Sequence, residues 1–264
     1  MQKTINDLSV FLSGDQESKA IIFVHGFPFD HFMWDAQINE LSKNYFCVTY
    51  DIRGLGESTV GDGQVTMESF VDDLETLIDE LMLDKPILCS LSMGGYISLR
   101  AIERIQNKFS GLILCDTKSE ADDNAGKLKR AVAIKQINNG DFENFIEAFV
   151  RNCFAERFVK EKSAEYRMVV DRSKKNDPLS VKGCLLAMAG RTDTTDSLSK
   201  INLPTLVICG SEDKLSPPNV MKPMSEKIPN SKFVLIEGAG HMTPIENPQE
   251  VISAIKEFLT QNDL

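Results

Sequence analysis

The sequence predicts an α/β fold: a twisted, mostly parallel sheet flanked by helices, with a helical insertion ahead of its last two strands. Three observations support this. Short, nearly continuous apolar runs alternate with helix-patterned segments, the alternation stops across residues 118–200, and it resumes at Leu203. A run that is apolar at almost every position suits a strand covered on both faces, whereas a half-exposed strand would alternate. Such strands interleaved with helices make a doubly wound sheet.

The elements follow in order. Residues 8–12 suggest antiparallel pairing at one edge. Strands are expected at 20–24, 45–50, 86–91, 111–115, 205–209 and 232–236. Between 67 and 81, Phe70, Val71, Leu74, Leu77, Ile78 and Leu81 fall on one helical stripe with acids opposite. Segment 95–105 repeats this spacing with Ile97, Ala101, Ile102 and Ile105, and 251–259 does so with Val251, Ile252, Ile255, Phe258 and Leu259. Within 118–200 the helical patterns lie near 128–137, 142–150, 164–170 and 179–188, with no clear strand. The expected organisation is a core of residues 1–117 and 201–264, interrupted by a helical insertion at 118–200.

Composition narrows the function classes. The 264 residues carry a formal charge of −10, with 42% hydrophobic and 26% charged residues. Binding nucleic acid or an anionic membrane needs a basic surface, so neither partner is expected. The basic residues between Lys127 and Lys135 read as a solvated helix face. Residues 1–14 show no cationic start followed by an apolar run, and no stretch approaches the ~20 apolar residues of a membrane span. Four of the six cysteines, Cys47, Cys89, Cys115 and Cys209, sit inside apolar runs, and no C-x-x-C pair exists. Buried reduced thiols in a cytoplasmic protein are expected, with no metal and no cofactor.

The chemistry turns on a serine and a histidine. Only His25, His31 and His241 could act as a general base. His241 ends Gly238-Ala239-Gly240-His241, directly after the last predicted strand, where α/β sheets place their sites. Ser90-Leu91-Ser92-Met93-Gly94-Gly95 follows a predicted strand and opens a helix. A strand turning sharply into a helix lifts its turn residue out of the sheet and demands small residues two before and two after it. Ser90 and Gly94 fill those places, although the usual pattern has glycine at the first. The acid has three candidates, Asp213, Asp116 and Glu212.

These motifs, in this order, resemble the α/β-hydrolase family along nearly the whole chain. His25-Gly26-Phe27-Pro28 stands where the family has its oxyanion loop, and Asp51-Ile52-Arg53-Gly54-Leu55-Gly56-Glu57-Ser58 matches its D-x-R-G-x-G-x-S turn. Ser90 to Gly95 matches the elbow, Gly210-Ser211-Glu212-Asp213 with Pro217-Pro218 the acid loop, and Gly238 to His241 with Glu246-Asn247-Pro248 the histidine loop. The resemblance implies an α/β-hydrolase fold whose insertion is a helical cap. It favours Asp213 as the acid, because Gly210 and Pro217-Pro218 frame it as the family's loop does. The likeness is strongest to the carboxylesterase and enol-lactonase branch.

The implied chemistry is acyl transfer. Ser92 would attack a carbonyl, His241 would take its proton, and Asp213 would orient the imidazole. The N–H groups of Met93, at a helix start, and of Phe27, in the family's oxyanion loop, would hold the oxyanion. The expected partner is a small ester or lactone, with the homodimer left open as an assembly. A dehalogenase or epoxide hydrolase would need aspartate in place of Ser92. Carbon–carbon hydrolases of the family usually have Asn where Leu91 stands and Trp where Met242 stands. A perhydrolase or a non-catalytic binding protein on the same fold would share these residues. Phe142, Phe145, Phe149, Phe154 and Phe158 are expected mostly in the core, with one or two lining an acyl pocket.

Overall fold

A computed structural model describes residues 1–264. The chain opens with β1 (Gln2–Ile5) and β2 (Leu8–Ser13), an antiparallel hairpin, and continues into β3 (Ala20–Val24). A 3-10 turn at His31–Trp34 leads into α1 (Asp35–Leu41) and β4 (Phe46–Tyr50). Then α2 (Met67–Glu80), β5 (Ile87–Leu91), α3 (Met93–Ile105) and β6 (Gly111–Cys115) alternate. Five helices follow without a strand: α4 (Asn124–Asn138), α5 (Phe142–Cys153), α6 (Glu156–Glu161), α7 (Ser163–Ser173) and α8 (Pro178–Ala189). Finally come β7 (Thr205–Gly210), α9 (Pro218–Glu226), β8 (Ser231–Ile236), α10 (Thr243–Glu246) and α11 (Pro248–Gln261).

The eight strands form one sheet in the order β1-β2-β4-β3-β5-β6-β7-β8. Only β1–β2 and β2–β4 pair antiparallel; the other pairs run parallel. Every residue of β3, β4, β5, β6 and β7 is buried, which is why these strands read as nearly continuous apolar runs. The edge strands differ: β1 is largely exposed and polar, and β8 is only partly covered. No helix is long and apolar enough to cross a membrane.

Local signals fix the helices that matter for the site. Thr66 and Ser69 form a reciprocal capping box at the start of α2, with both bonds at 3.0 Å. α2 packs against α3 through the predicted stripe. Arg53 clasps Asp73 of α2 with two bonds of 2.6 Å and reaches Asp62 at 2.8 Å. That ties down the loop after β4. Asn247 caps α11, and Pro248 at its first turn needs no donor.

Predicted boundaries differ from the observed ones by a few residues, as frayed ends allow. α1, α6, α9 and α10 were not anticipated. Each is short and offers too few turns for a helical period to show above its polar residues.

Candidate active site

Ser92 sits between β5 and α3 at φ +54° and ψ −115°, a left-handed conformation that disfavours any side chain. The small neighbours are required sterically. A Cβ on Gly94 would lie 2.4 Å from the Val24 carbonyl oxygen and 2.7 Å from that of His25. Ser90, in the position where glycine is usual, is fully buried in β5 and donates to the Ile113 carbonyl at 3.4 Å. Ser92 instead lines a cavity of about 820 Å³. The Thr117 hydroxyl, at the end of β6, donates to the Ser92 carbonyl at 2.8 Å and steadies the turn.

His241 lines the same cavity. Its Nδ1 lies 2.8 Å from Oδ2 of Asp213, and both residues are buried. A carboxylate only accepts, so Nδ1 carries the proton and Nε2 presents a lone pair. Nε2 has no hydrogen-bond partner in the protein, Ser92 included. An imidazole held at one nitrogen and free at the other is equipped to take a proton inside the cavity. Burial by itself would lower the pKa of His241, but the Asp213 charge and hydrogen bond outweigh it and raise the value above the ordinary one. Burial would likewise raise Asp213, yet the His241 charge, together with hydrogen bonds from His241, Ser216 and Leu215, holds it at about 2. Both shifts favour the ion pair.

The other candidates fall elsewhere. His25 is locked, with Nε2 accepting from the Ile52 N–H at 2.8 Å and Nδ1 2.9 Å from the Gly26 carbonyl. His31 is held by Asp51 at 2.9 Å and stacks on Phe11. Glu212 is exposed. Asp116 is buried and accepts from the Gly210 N–H at 2.8 Å and from the Thr243 hydroxyl at 2.5 Å. It ties the end of β6 to β7 and to the histidine loop. Burial, followed by the Asp213 charge, pushes its carboxyl well above the usual range.

The N–H groups of Phe27 and Met93 donate to no acceptor in the protein. Met93 is the first residue of α3, where backbone donors lack intrahelical partners and the helix dipole favours negative charge. Asp116, Cys209 and Asp213 bring three metal-capable atoms within 4.8 Å of one another. Both carboxylates already accept protein donors, and the Cys209 thiol points at the Gly210 and Ser216 carbonyls. Burial pushes that thiol upward, so the donor set does not suit a cation.

Sequence reasoning missed two supports. The Ser216 hydroxyl donates to Asp213 Oδ2 at 2.7 Å and lies 3.2 Å from His241 Nδ1. Its place three residues after Asp213 is a turn signature that could have been read. Glu246 accepts from the N–H groups of Ala155, Gly240 and Met242 at 2.9, 3.0 and 3.1 Å, clamping the histidine loop to the segment after α5. In the basic stretch of α4, Lys127, Lys129 and Lys135 are exposed as expected, whereas Arg130 is half-buried, pairs with Asp122 and lines the cavity. Of the phenylalanines, Phe145 and Phe149 line it, while Phe154 and Phe158 stack on each other at 5.1 Å.

A family profile for the alpha/beta hydrolase fold matches residues 19–248. The chain belongs to the alpha/beta hydrolase family. This hydrolase is 27% identical over 252 residues to 3-oxoadipate enol-lactonase 1 of Acinetobacter baylyi, covering 96% of this chain and 92% of that one. A thermophilic esterase from Thermogutta terrifontis, solved with malate bound, superposes with a TM-score of 0.93 at 32% identity, covering 99% of both chains. The enol-lactonase of Burkholderia xenovorans shares the fold, with a TM-score of 0.90 at 23% identity over 98% of this chain and 100% of that one.

Proposed function

We propose that this hydrolase cleaves small carboxylic esters through a Ser92–His241–Asp213 triad. The observation that carries the reading is that Ser92, lifted out of the sheet by a strained turn, and His241, whose Nε2 has no partner in the protein, line one cavity. Removal of the Ser92 proton by His241 lets the serine oxygen bond to the acyl carbon. The carbonyl oxygen then takes up negative charge, which in this reading the N–H groups of Phe27 and Met93, unpaired in the protein, receive. Losing one such donor costs about 3–4 kcal/mol of transition-state stabilisation in serine hydrolases. His241 returns the proton to the leaving alcohol, and water activated by the same imidazole frees the acid.

Residues 118–200 act as the cap in this reading, with Phe145 and Phe149 giving the acyl side an apolar wall. Six free, buried cysteines suit a cytoplasmic enzyme. An enol-lactone is a second substrate reading, favoured by the likeness to an enol-lactonase along 96% of this chain.

Phe27 is buried and meets the Phe149 ring edge-on at 5.2 Å, and both residues line the cavity, which narrows that side of it. Esters of primary alcohols with short to medium acyl chains are therefore expected to turn over, and tertiary-alcohol esters to be refused. Measuring kcat/KM for a p-nitrophenyl ester series, a tert-butyl ester and an enol-lactone tests this. Brisk cleavage of the tert-butyl ester would show that the Phe27 loop leaves more room than its packing suggests.

A further inference from the structure

The unpaired Phe27 N–H belongs to the Gly26–Phe27 peptide, in the loop after β3. On the other side of that peptide, the Gly26 carbonyl accepts from the Phe29 N–H at 3.0 Å. The Phe29 N–H belongs in turn to the Pro28–Phe29 peptide, whose carbonyl oxygen accepts from Nδ2 of Asn176 at 2.7 Å. The Pro28 carbonyl has no other hydrogen-bond partner in the protein. A peptide unit is a rigid plane, and in the trans form its N–H and C=O point opposite ways. Holding the Pro28 oxygen therefore orients the Phe29 N–H, the Gly26 carbonyl bonded to it and, across that plane, the Phe27 N–H.

Asn176 is not part of the sheet's own loops. It lies between α7 and α8, inside the helical insertion, and is buried. Its Oδ1 accepts from the Gly56 N–H at 2.9 Å, and Nδ2 also reaches the Ser173 carbonyl at 3.1 Å. Those partners decide which way the amide faces, because an N–H needs the oxygen and two carbonyls need the nitrogen. No other side chain of this length both accepts and donates twice. The Gly56 end is firm, since the next N–H, that of Glu57, is held by buried Asp51 at 2.8 Å. Four residues before Asn176, Arg172 grips Asp30 at 2.8 Å. The insertion thus holds residues 28–30 at two points, and Asn176 is the one that bonds their backbone.

The geometry points to Asn176 as a positioning residue for the Phe27 N–H, so that the insertion sets an oxyanion donor as well as walling the cavity. The inference rests on the ester-hydrolase reading, under which that N–H receives the charge of the carbonyl oxygen. Asn176→Leu keeps the side-chain length and removes all three bonds, whereas Asn176→Asp keeps an acceptor for Gly56 and loses the donor to Pro28. The probe is a trifluoromethyl ketone, whose adduct with a serine oxygen carries an oxyanion as the transition state does. Both variants are expected to lose about tenfold to a hundredfold in kcat on a p-nitrophenyl ester with KM little changed. Their affinity for the ketone should fall by the same factor as kcat/KM, a match that general loosening of the fold would not produce. Should Asn176→Leu fail to fold, Asn176→Asp carries the test alone. Crystal structures of parent and variant read the Gly26–Phe27 peptide directly, whether or not an ester is turned over. A peptide plane that stays where it is in the parent, or a loss of kcat with ketone affinity unchanged, overturns the inference. A parent protein that turns over no ester counts instead against the hydrolase reading, and the crystal structures still decide whether Asn176 directs the Phe27 N–H.

Discussion

At Ser92 the backbone occupies φ +54°, a conformation that costs about 1–3 kcal/mol for a non-glycine residue and persists only where its surroundings enforce it. The surroundings here are Thr117 on its carbonyl and the β6 strand on its N–H, which donates to Cys115 at 3.1 Å. His241 is set by charge as much as by contact. The base must be neutral to accept a proton, and the Asp213 carboxylate holds its pKa above the ordinary value, so loss of rate on acidification begins at a higher pH. The kcat/KM profile should show an acid limb above about 6.5. Asp213→Asn removes the charge that raises His241, so the limb should move down while kcat falls by about 10⁴. Asp116→Asn should leave both much closer to the parent enzyme, because Asp116 bonds Gly210 and Thr243 and makes no hydrogen bond to the imidazole. If the two variants exchange these effects, the orienting acid is Asp116.

At the scale of elements, the elbow depends on α3 starting hard against β3. A Cβ at Gly94 would meet two backbone carbonyl oxygens, neither of which can rotate away. Gly94→Ala is expected to lose about 1–3 kcal/mol, seen as a lower Tm, with ester turnover falling as Ser92 shifts. An unchanged melting profile would mean that the helix stands further from the sheet. This junction was legible in the sequence because its demands are local: small residues at fixed offsets around Ser92, after an apolar run. The inner strands were legible for the same kind of reason, since burial on both faces leaves mostly apolar side chains, with only Thr49, Ser90 and Thr205 as polar exceptions. β1 was not, because QKTI at an exposed edge carries no pattern. Nor was the Asp116 bond to Thr243, which joins residues 127 apart in the chain. Glu246 stood in a recognised loop, but its three bonds form only once the segment after α5 folds back onto that loop.

Across the whole molecule, the three proposed reacting groups come from the loops that follow β5, β7 and β8, all at the carboxyl ends of parallel strands. Three of the five helices between β6 and β7, α4, α5 and α8, contribute much of the remaining cavity wall, including Arg130, Phe145 and Phe149. Its volume of about 820 Å³ falls in the range of small-molecule sites. In the proposed reading this layout divides the labour, with the sheet fixing the chemistry and the helices fixing what reaches it. The account as a whole stands on Ser92 being the nucleophile. Treating the intact protein with a fluorophosphonate and mapping the adduct by mass spectrometry measures that directly. One adduct on Ser92, absent from Ser92→Ala, is the predicted result; an adduct on Ser90 or another serine, or a native protein that stays unmodified, would contradict it.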